Sequence, residues 1–523
     1  MKIFMYLFLC LSIFAGHYEA ARILAVFPNP SISHQVVFRP LTQELAKRGH
    51  EVTVITTDPA FPEGKTPANL TEIDVHDISY DLWKNIFLTS TKGNKDDVVM
   101  AMSAIVNALT AVVDAQLKDD KIQNLIRDKS KQFDLLLVEA CVRPALVFSH
   151  IYKIPVIQIS SFFATFDNYP NFGVPIHPFL YPALTRQRLN NLTMIEKIKE
   201  FYNDFMLTRL YENNMEKENE MLRKHFRDVP PISELNNNVD MLFLNVNPVF
   251  EGIRPVPPSV VYLGGLHQVP YKPLPKDLQS YMDSSKNGVI YVSFGTNVDP
   301  TTFPADRIQV LVKTLSQLPY DILWKWNNDV LPGRTENIRI AKWLPQTDLL
   351  IHPKLKLFIT QAGLQSTDEA ISAGVPLVAI PMFGDQFFNA ERYEYFNIGK
   401  KLSMEKLTVE EFTNAINTVI NDGSYRENIV KLRRIIQDEP MPPLERAVWW
   451  TEYVLRHGGA RHLRGPAANM SWAEYLELEL VLTLLLGLLA VISVLLIGLR
   501  FLYKIVFGNT VTTTTKAKKS KRS

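Results

Sequence analysis

The run from Trp343 to Gln386, WLPQTDLLIHPKLKLFITQAGLQSTDEAISAGVPLVAIPMFGDQ, alternates apolar blocks with helical stretches in an order that decides the fold. Leu357 to Thr360 reads as a buried strand, and Gln361-Ala-Gly363 turns the chain into a helix expected over 365–373, which Gly374 and Pro376 stop. A second apolar strand over 377–381 then delivers Gly384-Asp385-Gln386 to a helix expected over 387–396. Strand, helix, strand, helix implies a parallel sheet, in which ligands collect beyond the carboxyl ends of the strands, where Gln361 and Asp385 both fall. Backbone N–H groups and the positive dipole end from Gly363 to Gln365 are then available to a phosphate with no metal required.

The same rhythm extends outward. Val289 to Ser293 is an apolar strand ending in Phe294-Gly295-Thr296, where the glycine permits close backbone approach and the hydroxyl can donate to a ligand; further strands are expected over 321–326 and 338–342. Near the other end, a strand over 23–27, a helix over 35–48 closed by Gly49 and a strand over 51–56 form one unit; a strand over 133–139, a helix over 143–152 and a strand over 155–159 form another. The chain is therefore α/β, with two Rossmann-like parallel sheets separated by proline-rich turns from Arg254 to Pro275, and Gly264-Gly265 as a hinge candidate. The expected segments are a first lobe at 21–255, a hinge at 256–276, a second lobe at 277–440, a helix at 441–457 returning to the first lobe and a linker at 458–477. An insertion from Phe162 to Phe226, rich in Phe, Tyr, Met and Leu, is expected to line an apolar ligand pocket or lid.

Both termini carry membrane signals. Lys2, the apolar run from Ile3 to Phe14 and the small residues Ala15, Gly16 and Ala20 read as a signal peptide over 1–20. Leu480 to Leu499 is an uncharged apolar run long enough to span a bilayer, placed here within a helix over 478–501. The tail over 502–523 is basic, and with Arg500 it predicts a cytosolic C-terminus and lumenal lobes, a single-pass type I arrangement. Lys519 and Lys521, fifth and third from the end, resemble a dilysine retrieval signal for the endoplasmic reticulum. Asn69, Asn191 and Asn469 open Asn-X-Ser/Thr sequons that matter in the secretory lumen, with Asn69 and Asn191 the candidate glycosylation sites. Of Cys10 and Cys141 only the latter survives signal removal, so no internal disulfide forms. With 56 Lys and Arg against 54 Asp and Glu, and no basic stripe outside the tail, the chain is not built for nucleic acid.

The chemistry-bearing residues sit at the strand ends. Pro28-Asn-Pro-Ser-Ile-Ser33-His34 puts His34 at the carboxyl edge of the first strand, and no G-x-G-x-x-G occupies that turn, which excludes a dinucleotide dehydrogenase. Histidine titrates near neutrality and suits proton abstraction from a hydroxyl. The imidazolium so formed calls for a carboxylate, and Glu139 ends the 133–139 strand on the same sheet edge. The remaining histidines, among them His50, His150, His352, His457 and His462, have no metal-ligand spacing.

On these residues, and on the long signature from Trp343-Leu-Pro-Gln346 through Phe358-Ile-Thr-Gln361-Ala-Gly363, Glu369-Ala and Gly374-Val-Pro376 to Gly384-Asp385-Gln386, the chain resembles the animal membrane-bound UDP-glycosyltransferases, most closely the insect glucosyl- and glucuronosyltransferases. Ser33-His34, Gly264-Gly-Leu-His267 and Ser293-Phe-Gly-Thr296 support the match. The resemblance implies a GT-B fold, two lobes facing a cleft, and a UDP-sugar as co-substrate with no cofactor and no metal; the insect pattern favours glucose over glucuronate as that sugar. It implies that Trp343 stacks on uracil, Gln346 contacts base or ribose, Glu369 accepts the ribose hydroxyls, and Gln361, Gly363 and Gln365 hold the diphosphate, with Arg254 and Thr296 approaching it. Asp385 and Gln386 would hydrogen-bond the transferred sugar, while His34, steadied by Glu139, deprotonates a small lipophilic acceptor in an inverting, detoxifying conjugation. Homo- or hetero-oligomers are compatible with it.

Three positions depart from the family pattern. Gln361-Ala362-Gly363 stands where many members have His-Gly-Gly, Glu139 where the partner of the base is usually Asp, and Gln365 where vertebrate relatives often have Asn. The competing reading is a catalytically weak, membrane-anchored member that binds lipophilic ligands; a soluble secreted carrier fails on the apolar run from Leu480.

Overall fold

The computed structural model describes residues 20–90, 98–165, 167–298 and 300–519; the signal peptide expected over 1–20 lies outside them except for Ala20, as do the last four residues. Residues up to Ala468 form one compact unit and those from Asn469 a second.

Within the first unit, seven parallel strands make the sheet of the N-terminal lobe: β1 (Arg22–Phe27), β2 (Glu51–Thr56), β3 (Leu70–Asp74), β4 (Leu135–Glu139), β5 (Val156–Ser160), β6 (Val239–Leu244) and β7 (Val260–Tyr262), in the order β3-β2-β1-β4-β5-β6-β7. Six more make the second lobe: β8 (Val289–Ser293), β9 (Asp321–Lys325), β10 (Ile338–Ala341), β11 (Leu355–Thr360), β12 (Leu377–Ala379) and β13 (Gly399–Lys401), in the order β10-β9-β8-β11-β12-β13. The central strands are buried along their whole length, the signature of parallel sheets covered on both faces. Strand order reverses between β1 and β4 in one sheet and between β8 and β11 in the other, and such reversals open the crevice that binds ligands. Register fixes what stands there: Val26 pairs with Val138, so Glu139 ends beside Phe27, and Ser293 pairs with Thr360.

Helix Pro443–His457 buries Ala447, Val448 and Val454 in the same cluster as Ile23, Ala25 and Leu45 of the first lobe, and Arg48 reaches its Glu452 at 3.4 Å. Each fully buried aliphatic side chain contributes about 1.5–3 kcal/mol. The apolar insertion divides into two uses. Phe162, Thr165, Leu184 and Tyr211 face the cleft, whereas the long helix Met194–His225 leaves Met194, Ile195, Ile198, Phe201, Tyr202 and Phe205 exposed. The pocket expected from the whole insertion is thus made by only part of it, because the 3.6-residue period turns this stripe to solvent.

In the second unit, helix Leu478–Lys519 carries a 30-residue apolar stretch, Leu478–Phe507, which at helical rise measures about 45 Å and can cross a hydrocarbon core of about 30 Å. Helix Val98–Lys118 is shorter and less apolar but still long and apolar enough to cross a membrane; its Val106, Leu109, Val112, Val113 and Leu117 are buried, which marks a core helix.

Candidate active site

His34 lies in the first turn of helix Ile32–Lys47, immediately beyond β1. Its Nδ1 stands 2.6 Å from Glu139 Oε1; a carboxylate only accepts, so Nδ1–H donates and Nε2 holds the lone pair. Glu139 is 1 % exposed and also accepts from the Asn29 amide at 3.2 Å, which fixes its second oxygen. Asn29 Nδ2 is 3.0 Å from the same His34 nitrogen while its buried Oδ1 has no partner; with Nδ1–H as a donor, the amide orientation that turns its oxygen toward the ring suits this contact better. Gln35 ties this turn together by donating to the carbonyls of Phe27 and Asn29. Phe162 meets the imidazole edge-on at 5.3 Å.

Across a cleft of about 1050 Å³ stands the wall built by the second lobe. Trp343 is 68 % exposed, its ring a bare platform with Lys325 Nζ 5.2 Å from the centroid. Gln346 is locked: Tyr291 donates to its Oε1 at 3.1 Å, and its Nε2 donates to Ser366 at 2.9 Å and Glu369 at 2.7 Å. Burial raises the Glu369 carboxyl above its ordinary range. Gln361 follows β11 directly and accepts from Thr360 at 3.0 Å, and its amide fills the space over Gly295, where a Cβ would come within 2.2 Å of Nε2 and φ is +78°. Gly363 caps helix Leu364–Ala373 and presents its first amides to the cleft beside Thr296. Ala362 adopts φ of 70° while fully buried, a left-handed conformation that costs an alanine about 1–2 kcal/mol; Asn389 donates to its carbonyl at 2.8 Å. Asp385 caps helix Gln386–Tyr395 and accepts from Asn389 at 2.9 Å. Burial pushes its carboxyl up to about 6, an effect that Asn389 and the His34 imidazole opposite partly offset. Gln386 Oε1 accepts from the amides of Met382 and Phe383 at 2.8 and 3.1 Å.

A family model described as "UDP-glucoronosyl and UDP-glucosyl transferase" matches residues 22–513. The chain belongs to this family. The transferase is 38 % identical over 478 residues to an ecdysteroid UDP-glucosyltransferase of the Lymantria dispar multicapsid nuclear polyhedrosis virus, covering 89 % of this chain and 94 % of that one. It is 31 % identical over 531 residues to a UDP-glycosyltransferase of Dactylopius coccus, with 97 % of each chain covered. Among solved structures it resembles the glycotransferase of kitacinnamycin (TM-score 0.56, 18 % identity, 84 % and 100 % covered) and a UDP-glucose: anthocyanidin 3-O-glucosyltransferase in complex with UDP (TM-score 0.55, 15 % identity, 83 % and 99 % covered). These two show the GT-B fold. The protein is therefore a glycosyltransferase that uses a UDP-sugar donor and a sugar acceptor.

Two expected donor contacts take other positions. Arg254 does not reach the cleft: its guanidinium is buried between Tyr169 and Tyr181, 4.0 and 5.1 Å from their centroids, and pairs with Glu251 at 3.5 Å. Without Arg254, Glu251 would keep its bond from the Tyr169 hydroxyl but lose its ion pair, and a buried carboxylate stripped of its counter-charge is strongly destabilising. Gln365 lines the cleft, but its Nε2 donates to the Ser161 carbonyl of the first lobe at 2.9 Å, leaving the backbone amides rather than the side chain for a phosphate. Asn297, which carries no signature in the sequence, spans the lobes as well, donating to Ser31 at 3.1 Å. Asn29, Tyr291 and Asn389 also escape a sequence reading, since each acts by orienting a neighbour. Asn69 and Asn191 are exposed with φ of 64° and 54°. Among the described residues, His34, Glu139 and Cys141 are the group whose ligating atoms lie within 4.8 Å of one another.

Proposed function

We propose that the transferase moves glucose from UDP-glucose to a hydroxyl of a small lipophilic acceptor, with inversion and without a metal, and so conjugates such compounds for disposal. The observation that carries the reading is the 2.6 Å His34–Glu139 bond, which leaves Nε2 as a base toward the cleft that Asp385 and Trp343 line from the other side. The acceptor oxygen, losing its proton to Nε2, bonds the anomeric carbon as the bond to the β-phosphate oxygen breaks and UDP departs with that electron pair. Glu139 balances the imidazolium, and the amides at Gly363 to Gln365 take up charge on the leaving diphosphate. Trp343 stacks the base, Glu369 and Gln346 hold the ribose side, Thr296 and Gln361 flank the diphosphate, and Asp385 with Gln386 grip the sugar hydroxyls. The apolar wall at Phe162, Leu184 and Tyr211 supports a lipophilic acceptor, and the viral relative named for ecdysteroid makes a steroid polyol the first compound to try. Helix Leu478–Phe507 would anchor the enzyme in the endoplasmic reticulum with lumenal lobes, where Asn69 and Asn191 meet the glycosylation machinery.

Microsomes containing the full chain, incubated with UDP-glucose, UDP-glucuronate and a panel of phenols and sterols, should yield a glucoside that His34→Ala lowers by about 10²-fold or more. Equal turnover by His34→Ala refutes the base assignment, and preference for UDP-glucuronate refutes the sugar.

A further inference from the structure

We propose that His34, Glu139 and Cys141 form an inhibitory site for a soft divalent cation of the zinc and cadmium class. One imidazole, one carboxylate and one thiol converge at the floor of the cleft with all ligating atoms within 4.8 Å, and that donor set is the one such cations prefer. Cys141 is a free cysteine two residues beyond Glu139, with Sγ 3.5 Å from Oε1. Sulfur and oxygen ligands of a tetrahedral zinc, with bonds of about 2.3 and 2.0 Å, stand about 3.5 Å apart, so this edge is already in place. The Nδ1–Oε1 edge, 2.6 Å as a hydrogen bond, must open to about 3.3 Å, a movement open to His34 because its side chain is partly exposed whereas Glu139 is fixed by the Asn29 amide. His34 and Cys141 both line the cleft, from which a fourth ligand would come.

The consequence rests on the base assignment above. Nδ1 can bind a cation only through a lone pair, so its proton passes to Nε2; the thiol gives up one proton to solvent, and the balance is one cation bound for one proton released. Nε2–H can no longer accept the proton of a hydroxyl. The cation therefore stops the enzyme by fixing the wrong tautomer at the base, and need not touch the donor site.

Two readouts test this on the full-length protein, prepared without thiol reductants. Glucoside formation should fall on titration with ZnCl₂ or CdCl₂ and return with EDTA, while Cys141→Ala keeps turnover and shifts the half-inhibitory concentration upward by at least about tenfold. Equal sensitivity of Cys141→Ala, or no inhibition of the wild type, overturns the proposal. The ultraviolet cadmium–thiolate band, measured without substrates, should appear in the wild type and vanish in Cys141→Ala. Its absence overturns the metal site whatever turnover does, and turnover surviving in His34→Ala overturns the base assignment whether or not the band forms.

Discussion

Asp385 is a cleft carboxylate whose ionisation is moved toward the working range. Burial raises it from the ordinary 3.8 to about 6, so the folded protein binds its proton more tightly than the unfolded chain. Where the folded state holds more protons, stability falls as pH rises; the loss therefore develops between about pH 4 and pH 6 and is complete above that. Asparagine at this position removes the buried charge and can still accept from Asn389. Asp385→Asn should accordingly melt higher than the wild type at pH 7.5, with the difference fading toward pH 4, as a series of thermal melts will show. Function runs the other way. Because the proposed grip on the sugar needs an acceptor-only carboxylate, the KM for UDP-glucose should rise in the wild type as pH drops through about 6, and Asp385→Asn should show a high KM with no such limb.

Helix Met194–His225 shows how one element can serve core and surface along its length. Thr193 and Glu196 close a capping box at its start, while Leu207 and Leu222 are buried and Ile198 and Phe201 are more than 60 % exposed. Ile198→Glu and Phe201→Glu should therefore leave stability within about 0.5 kcal/mol, and Leu222→Ala should cost about 2–5 kcal/mol in the same denaturation assay. A sequence reader sees only that the segment is apolar, since which stripe meets the core depends on neighbours distant in the chain. The same division governs the rest of the fold. Strands such as β8 and β11 are legible because burial on both faces demands continuous apolar runs, whereas β13, Gly399-Lys-Lys401, is an edge strand recognisable only from its pairing with β12. In the site, His34, Glu139 and Asp385 are legible because their chemistry is rare at strand ends. Arg254 misleads because a guanidinium serves an internal carboxylate as well as a phosphate, and only packing decides between them.

The two lobes of the first unit meet through a small set of polar bonds near the cleft: Gln365 to the Ser161 carbonyl, Asn297 to Ser31, and Gln268 with Ser372 at 2.8 Å. Helix Gln386–Tyr395 adds Phe388 against Phe163 at 5.1 Å and Glu391 accepting from the Leu189 amide at 3.0 Å. The helix that begins with Asp385 and Gln386 thus also holds the acceptor lobe, and the distance between donor and base depends on these contacts. The proposed contacts to UDP do not, because Trp343, Gln346 and Glu369 all belong to the second lobe. The two kinds of substitution should therefore separate. Trp343→Ala removes a stacking platform worth about 1–3 kcal/mol and should weaken UDP binding, measured by calorimetry, by about tenfold or more. Gln365→Leu keeps the platform and loses the bond to Ser161, so UDP affinity should change by less than about threefold while kcat falls, since a misplacement of about 1 Å between nucleophile and anomeric carbon can cost about 10²-fold. Equal losses of UDP affinity in the two variants would mean that the first lobe takes part in holding the nucleotide, and that the lobes close before the donor is bound rather than around it.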